Sequence, residues 1–341
     1  MPRRVLHLVG SPVSEFFLDL SLVYARGCLA ATHDPGRYDV KIALVTPAGQ
    51  WRFPADLSPG AIEAAPPLTP DRALARLVDL QVDVAVPQMF CLPGMTTYRS
   101  LLDLLGIPFA GNPAAAMALT AHKARAKAVV AAAGVAVPAG ELLRPGQRPT
   151  LAPPVVVKPV DGDNSTGTSL VLQESQFPAA LALARSHTGE VLVEDYIPLG
   201  REVRCGVLER DGELVCLPLE EYAVDTVTRP IRGYGDKLRP AAGGGLDLVA
   251  KQAGQAWIVD PSDPVTEPVW TAARSSHLAL GCRDYSLFDF RIDPGGTPFF
   301  LEAGLYCTFA PTSVIATMAG AAGIGLPVLF AEMLERAISR V

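Results

Sequence analysis

Paired cysteines are missing from this sequence: Cys28, Cys91, Cys205, Cys216, Cys282 and Cys307 stand far apart and form no Cys-x-x-Cys motif. A zinc site or a disulfide framework therefore has no starting point, and the thiols suit a reducing cytoplasm. A basic stripe is missing too. The formal net charge is −6, which makes nucleic acid and anionic membrane poor partners. The third absence is an unbroken apolar span. Thr312 to Ala331 carries no charge, but Gly320, Gly323, Gly325 and Pro327 interrupt it, as suits two packed helices better than a membrane crossing of ~20 residues. Near the start, His7, Ser11-Pro12, Glu15 and Asp19 break the apolar run. It reads as a first strand and loop, not as a signal peptide.

What is present is a chain of 341 residues, 49% hydrophobic and 19% charged, able to bury a large core in two or three subdomains. Its 30 glycines and 31 prolines are scattered, which implies many turns and no disordered tract. Residues 1–112 alternate strands (5–9, 40–45, 82–86) with helices (15–31, 71–80, 97–105), the pattern of an open parallel β/α sheet. Ligands of such sheets sit beyond the strand ends, here near Gly10–Glu15 and Pro87–Gly94. Residues 113–196 open with helices at 114–119 and 122–133. Strands at 155–158 and 191–195 follow, separated by a loop rich in Gly, Asp, Asn, Ser and Thr. From 197 to 341 strands dominate (202–208, 214–218), then a helix at 267–280, a hairpin at 287–304 and closing helices. The fold class is α/β, with an α+β character after residue 112.

The hairpin is the most informative stretch. A two-residue turn at Gly295-Gly296 would set Asp289 directly opposite Glu302, with Cβ atoms ~4.5–5.5 Å apart. Facing carboxylates repel unless a cation or a proton lies between them. The plain alternative is an exposed polar face in another register; the sharper one is a divalent site, magnesium being suited to hard oxygens that also meet phosphates. Phe288, Phe290, Phe299 and Leu301 would then point to the core.

Lys158 ends an apolar strand and precedes Asp161-Gly162-Asp163-Asn164-Ser165-Thr166-Gly167-Thr168, a loop rich in donors that could close over polyphosphate. It lacks the Gly-x-x-x-x-Gly-Lys-Ser/Thr pattern, and a solvated strand end is the plain alternative. Lys123 opens a helix with Lys127 one turn on, which alone describes any solvated helix face. Glu194, Asp195 and Ile197 run into a hinge whose free backbone groups could pair with an adenine edge, and Glu202 could take ribose hydroxyls.

Taken in order, these elements resemble the D-alanine–D-alanine ligases of the ATP-grasp superfamily over nearly the whole chain. The resemblance rests on Gly10–Glu15, Leu105-Gly106-Ile107-Pro108-Phe109-Ala110-Gly111, His122-Lys123 with Ala133–Pro138, Val156–Pro159, Glu194–Ile197, Asp289 and Glu302. It implies three subdomains, with the nucleotide clamped between the second and third. It also implies ATP and Mg2+, an amino-acid-like substrate, a homodimer, and an acylphosphate attacked by an amine. By resemblance Glu15 lies near the first substrate's amino group, Ser313 holds a carboxylate, and Lys237 covers the nucleotide beside Lys123, Lys158 and Ser165.

The departures cluster at the acceptor end. Phe90 replaces a His, Met95-Thr96 replace Glu-Asp, Leu287 an Arg, Gly304 an Asn, and Tyr306–Phe309 the "SPGM" stretch. Loss of an oxyanion donor typically costs about 10²–10³ in rate. The pocket is expected to be more apolar, with Tyr306 or Phe309 as a wall, and Arg291 as a candidate for the lost charge. A specialised role fits better than cell-wall synthesis. Three readings stay open: a ligase, an ATP-driven cyclase of a modified amino acid, and a catalytically silent nucleotide-binding protein.

Overall fold

The computed structural model describes residues 1–162, 165–228, 230–232, 238–240, 246–248, 254–306 and 308–340. Val5–Gly10 is an uninterrupted buried run, as a strand covered on both faces requires. Strand Arg3–Gly10 pairs in parallel with Tyr38–Val45 and Val84–Gln88, and helix Glu15–Ala31 makes the first crossover. The expected parallel β/α sheet is present, with a two-residue antiparallel edge, Trp51–Arg52, too short to show any periodicity.

The second sheet is antiparallel, in the order Gly140–Leu143, Val191–Asp195, Val155–Pro159, Ser169–Val171. The stretch read as one long loop between residues 158 and 191 holds the last of these strands and a helix, Phe177–Arg185. Ala180, Leu181 and Ala184, at helical spacing, bury against Val155, Val157 and Val193. The polar residues ahead of them masked that signal.

The third sheet runs Ala256–Ile258, Glu220–Tyr222, Arg201–Arg210, Tyr285–Ile292, Pro298–Ala303, with Glu213–Cys216 hairpinned onto Arg201–Arg210. Helices Lys123–Ala132 and Thr266–Ala279 cover its core face. Ala126 and Val130 share that core with Val203, Val269, Phe288 and Phe300. The closing helices Val314–Ala321 and Leu326–Ile338 meet at 110°, and no single helix among the described residues is long and apolar enough to cross a membrane. Their Ile315, Met318, Leu329 and Met333 bury against Val84 and Val86 of the first sheet and Leu208 of the third.

The glycine turn differs from expectation. Asp293 donates its amide to the Thr297 carbonyl (3.1 Å), Gly296 donates to the Asp293 carbonyl (3.0 Å), and only Gly296 has positive φ, +88°. That is a three-residue loop, Pro294–Gly296, closing on a left-handed glycine. It displaces the pairing by one residue: Phe290 faces Phe300 and Arg291 faces Phe299. A bulge beyond Asp289 takes up the extra residue, so Asp289 still faces Glu302. Phe300, not Phe299, therefore points into the core, and Leu301 turns toward the site.

Candidate active site

Residues directly opposite one another on neighbouring strands share a face of the sheet. Across the third sheet one rung reads Glu220, Arg204, Asp289, Glu302. Glu302 approaches the Lys123 ammonium at 3.6 Å, and Asp289 is clasped by Arg204, whose Nη2 donates to Oδ2 at 3.0 Å while Nε donates to Oδ1. Along this line the two adjacent carboxylates, Asp289 and Glu302, are flanked by the cations Arg204 and Lys123.

From the second sheet, Glu194 accepts hydrogen bonds from both Lys158 and Lys127. All three side chains are buried. Burial pulls the Lys127 pKa down to about 8, with the Lys158 charge adding to the effect and Glu194 opposing it. Burial alone would raise the Glu194 pKa, yet the two ammonium groups overcome it and hold the carboxyl below its usual range. Lys127 belongs to this group although only its spacing from Lys123 hinted at it.

Members of both groups, Lys123, Asp289 and Glu302 from one and Lys158 and Glu194 from the other, line one cavity. Its polar wall includes Lys123, Lys158, Ser165, Glu202, Asp289 and Glu302; its apolar wall includes Val156, Ile231 and Leu301. The donor chemistry fits the nucleotide and metal that the sequence suggested. Ammonium groups suit phosphates, paired carboxylate oxygens suit magnesium, and aliphatic walls suit a purine.

Part of the hinge is already engaged. The amides of Asp195 and Tyr196 are not free: they donate to the Ala139 and Pro154 carbonyls at 2.8 and 3.1 Å. The Ile197 carbonyl accepts Arg291 Nε at 2.7 Å. The Glu194 side chain serves the two lysines. Arg291 is buried and does not supply charge near Leu287; its other partners are the Tyr196 hydroxyl (2.9 Å), the Pro230 carbonyl (2.7 Å) and Glu202 (3.3 Å). Arg232 stands 3.5 Å from Glu202 as well. Sequence sees strand ends as open because the partners that close them are distant in the chain.

A second, larger cleft adjoins the first and shares Lys123, Gly162, Thr166, Asp289 and Glu302 with it. Phe16, Phe17, Tyr24, Phe90, Met95, Leu287 and Tyr306 give it an apolar wall. Phe90 bridges Tyr24 and Tyr306, with ring centroids 5.4 and 5.7 Å away. Phe309 does not wall this cleft; it is core, packed on Tyr285 and Phe330. Ser313 lines the cleft and caps helix Val314–Ala321, accepting the Ala316 amide at 3.3 Å.

Glu15 is not on this wall. Ser14 caps the helix, and the phase that turns Phe16, Phe17 and Tyr24 toward the cleft leaves Glu15 exposed in the first turn, where its charge complements the helix dipole. Lys237 and residues Asp163-Asn164 lie outside the described residues. Arg204, on both the ion pair and the wall of the larger cleft, is the residue that sequence reasoning missed. Its spacing from Glu202 on one strand face was the available signal.

The model of the D-ala D-ala ligase C-terminus family matches residues 146–335. A D-alanine--D-alanine ligase of Mycolicibacterium smegmatis is 32% identical over 374 aligned residues, covering 99% of this chain and 96% of its own length. One of Mycobacterium bovis is 33% identical over 350 residues, with 93% and 91% covered. Two solved structures share the fold. The VanG D-Ala:D-Ser ligase of Enterococcus faecalis has a TM-score of 0.79 at 23% identity, covering 99% of this chain and 100% of its own. The D-alanine--D-alanine ligase of Bacillus anthracis complexed with ATP has a TM-score of 0.72 at 20% identity, covering 99% and 98%. With a family model spanning more than half its length and relatives a third identical across nearly all of it, the chain belongs to the D-alanine–D-alanine ligases, ATP-grasp enzymes that use ATP and Mg2+ to join a carboxylate to an amine.

Proposed function

We propose that this enzyme ligates an amino-acid-like carboxylate bearing a bulky apolar side chain to an amine, in specialised metabolism, and that its preferred product is not D-alanyl-D-alanine. What carries the reading is the rung of Arg204, Asp289 and Glu302 at the junction of a charged cavity with an aromatic-walled cleft. Bound MgATP supplies the phosphoryl group that activates the carboxylate. Lys158 and Lys123 neutralise phosphate oxygens, and Asp289 and Glu302 offer the oxygens that hold the cation. The aromatic wall of Tyr24, Phe90 and Tyr306 excludes water from the activated carboxyl, so that a nearby amine is the nucleophile that reaches it. With Glu15 exposed, that wall recognises shape and not a substrate ammonium.

The test is an ADP-release screen across D- and L-amino acids with product masses recorded. Turnover is expected to be greater with aromatic or branched substrates than with D-alanine, and to disappear in Asp289→Asn and Glu302→Gln with the fold intact. D-alanine emerging as the best substrate would refute the apolar specificity. Undiminished turnover in either carboxylate variant would refute the metal assignment.

A further inference from the structure

Asp289 has claims on it from two sides. Arg204 donates to both of its oxygens, and Asp289 also lines the cavity where the ligase reading seats a divalent cation. A guanidinium and a metal cannot both hold that carboxylate in full. Arg204 is also placed to act elsewhere. Asp289 lines both cavities, whereas Arg204 lines only the larger cleft. Two residues along the strand from Asp289, and on the same face, Leu287 brings no charge to that wall. Lys123, the cleft's other full cation among the described residues, is engaged with Glu302 and with the Gly162 carbonyl. The Arg204 guanidinium also lies 5.6 Å from the Tyr222 ring centroid, which limits how far its stem can swing. Nε and Nη2 are spent on Asp289, while Nη1 has no partner among the described residues.

We propose that Arg204 competes with the divalent cation for Asp289, and that the displaced guanidinium binds the substrate carboxylate in the larger cleft. The inference rests on the ligase reading and adds a residue to it. A planar five-donor fork suits a carboxylate better than a lysine does, and retains its positive charge throughout. Cation loading thereby prepares the substrate side: one carboxylate partner is exchanged for another.

The experiment uses the full chain as wild type, Arg204→Gln and Arg204→Lys. Mg2+ is titrated calorimetrically into enzyme held at saturating ADP, and ADP release is measured separately with the best amino acid from the screen. With its competitor removed, Arg204→Gln is expected to bind Mg2+ about tenfold more tightly, the scale of one hydrogen bond to a charged group. It should lower kcat/KM for the carboxylate substrate roughly 10²-fold, with KM for ATP unmoved. Arg204→Lys, which keeps the charge and loses the fork, should fall between the two. Weaker Mg2+ binding in Arg204→Gln would overturn the proposal, because it would make Arg204 a mere prop for Asp289. Unchanged Mg2+ affinity, or unchanged kcat/KM, would overturn it as well. Wild-type enzyme that takes up no Mg-ADP would remove the ligase reading, and this inference with it.

Discussion

Glu194 lies between Lys127 and Lys158, a carboxylate shared by two ammonium groups and buried with them. Exposed ion pairs contribute little, but a buried group that loses its counter-charge is costly. Glu194→Gln keeps the shape and removes the charge, leaving two buried lysines to repel one another. Urea unfolding should show a loss of about 3–5 kcal/mol at constant m-value. The deficit should narrow as pH rises, because a lysine that sheds its proton in the folded state relieves the repulsion. A loss below about 1 kcal/mol would mean that water reaches the cluster and screens it. Identities at this site are easier to read from sequence than their assignments. Lys158 and Glu194 both line the charged cavity, yet the sequence alone does not tell that one binds the other.

Three elements converge on Glu209 of strand Arg201–Arg210. His277 Nε2 of helix Thr266–Ala279 stands 3.3 Å from its carboxylate, and Arg336 of helix Leu326–Ile338 pairs with it. The His277 hydrogen bond, working against the cost of burial and aided by Arg336, pulls the Glu209 pKa from 4.5 down to about 2. Between those values the folded chain binds fewer protons than the unfolded one, so stability rises with pH across that window. The contribution is complete above pH 4.5 and is lost as pH falls toward 2. Thermal melts of Glu209→Gln should therefore be flatter than wild type through that acid range. Parallel curves would show that Glu209 titrates normally. The hairpin illustrates what sequence pattern conveys at this scale. Alternation puts Asp289 and Glu302 on one face, and the expected pairing holds because a turn longer by one residue is offset by a bulge of one residue. Arg204 opposite Asp289 is a different case. They are 85 residues apart, and the register of two strands that distant is set by packing of the whole sheet, not by any local pattern.

At the scale of the whole molecule the cores are distributed unequally. The closing helices bury Ile315, Met318 and Met333 with Val84 and Val86 from the first sheet and Leu208 from the third, so those sheets are joined by one core. Asn112 and Asp284 add buried hydrogen bonds between them: Gly111 donates its amide to Asp284 Oδ2 at 2.7 Å, and Asn112 Nδ2 donates to the Tyr285 carbonyl at 2.7 Å. The second sheet is different. Leu143, Val155, Val157, Val171, Leu181, Val191 and Val193 form a cluster drawn entirely from that sheet and its helix. Elements with a core of their own open as cooperative units below the global unfolding free energy. Amide hydrogen exchange should therefore place the strands Val155–Pro159 and Val191–Asp195 in a separate opening unit, less protected than Arg3–Gly10 and Tyr285–Ile292. The charged cavity couples that unit to the rest, since Val156, Lys158 and Glu194 come from one side and Asp289, Leu301 and Glu302 from the other. A ligand that bridges both sides stabilises only the closed form. At a hundred times its dissociation constant, Mg-ADP adds about 2.7 kcal/mol to the opening free energy, which slows exchange in residues 155–159 and 191–195 roughly a hundredfold. Exchange in the first sheet, which goes through global unfolding, should slow by the same factor, because unfolding also releases the ligand. The independent unit therefore shows in the protection measured without ligand: equal opening free energies across all three sheets would reject it, and a lower value in the second would establish it.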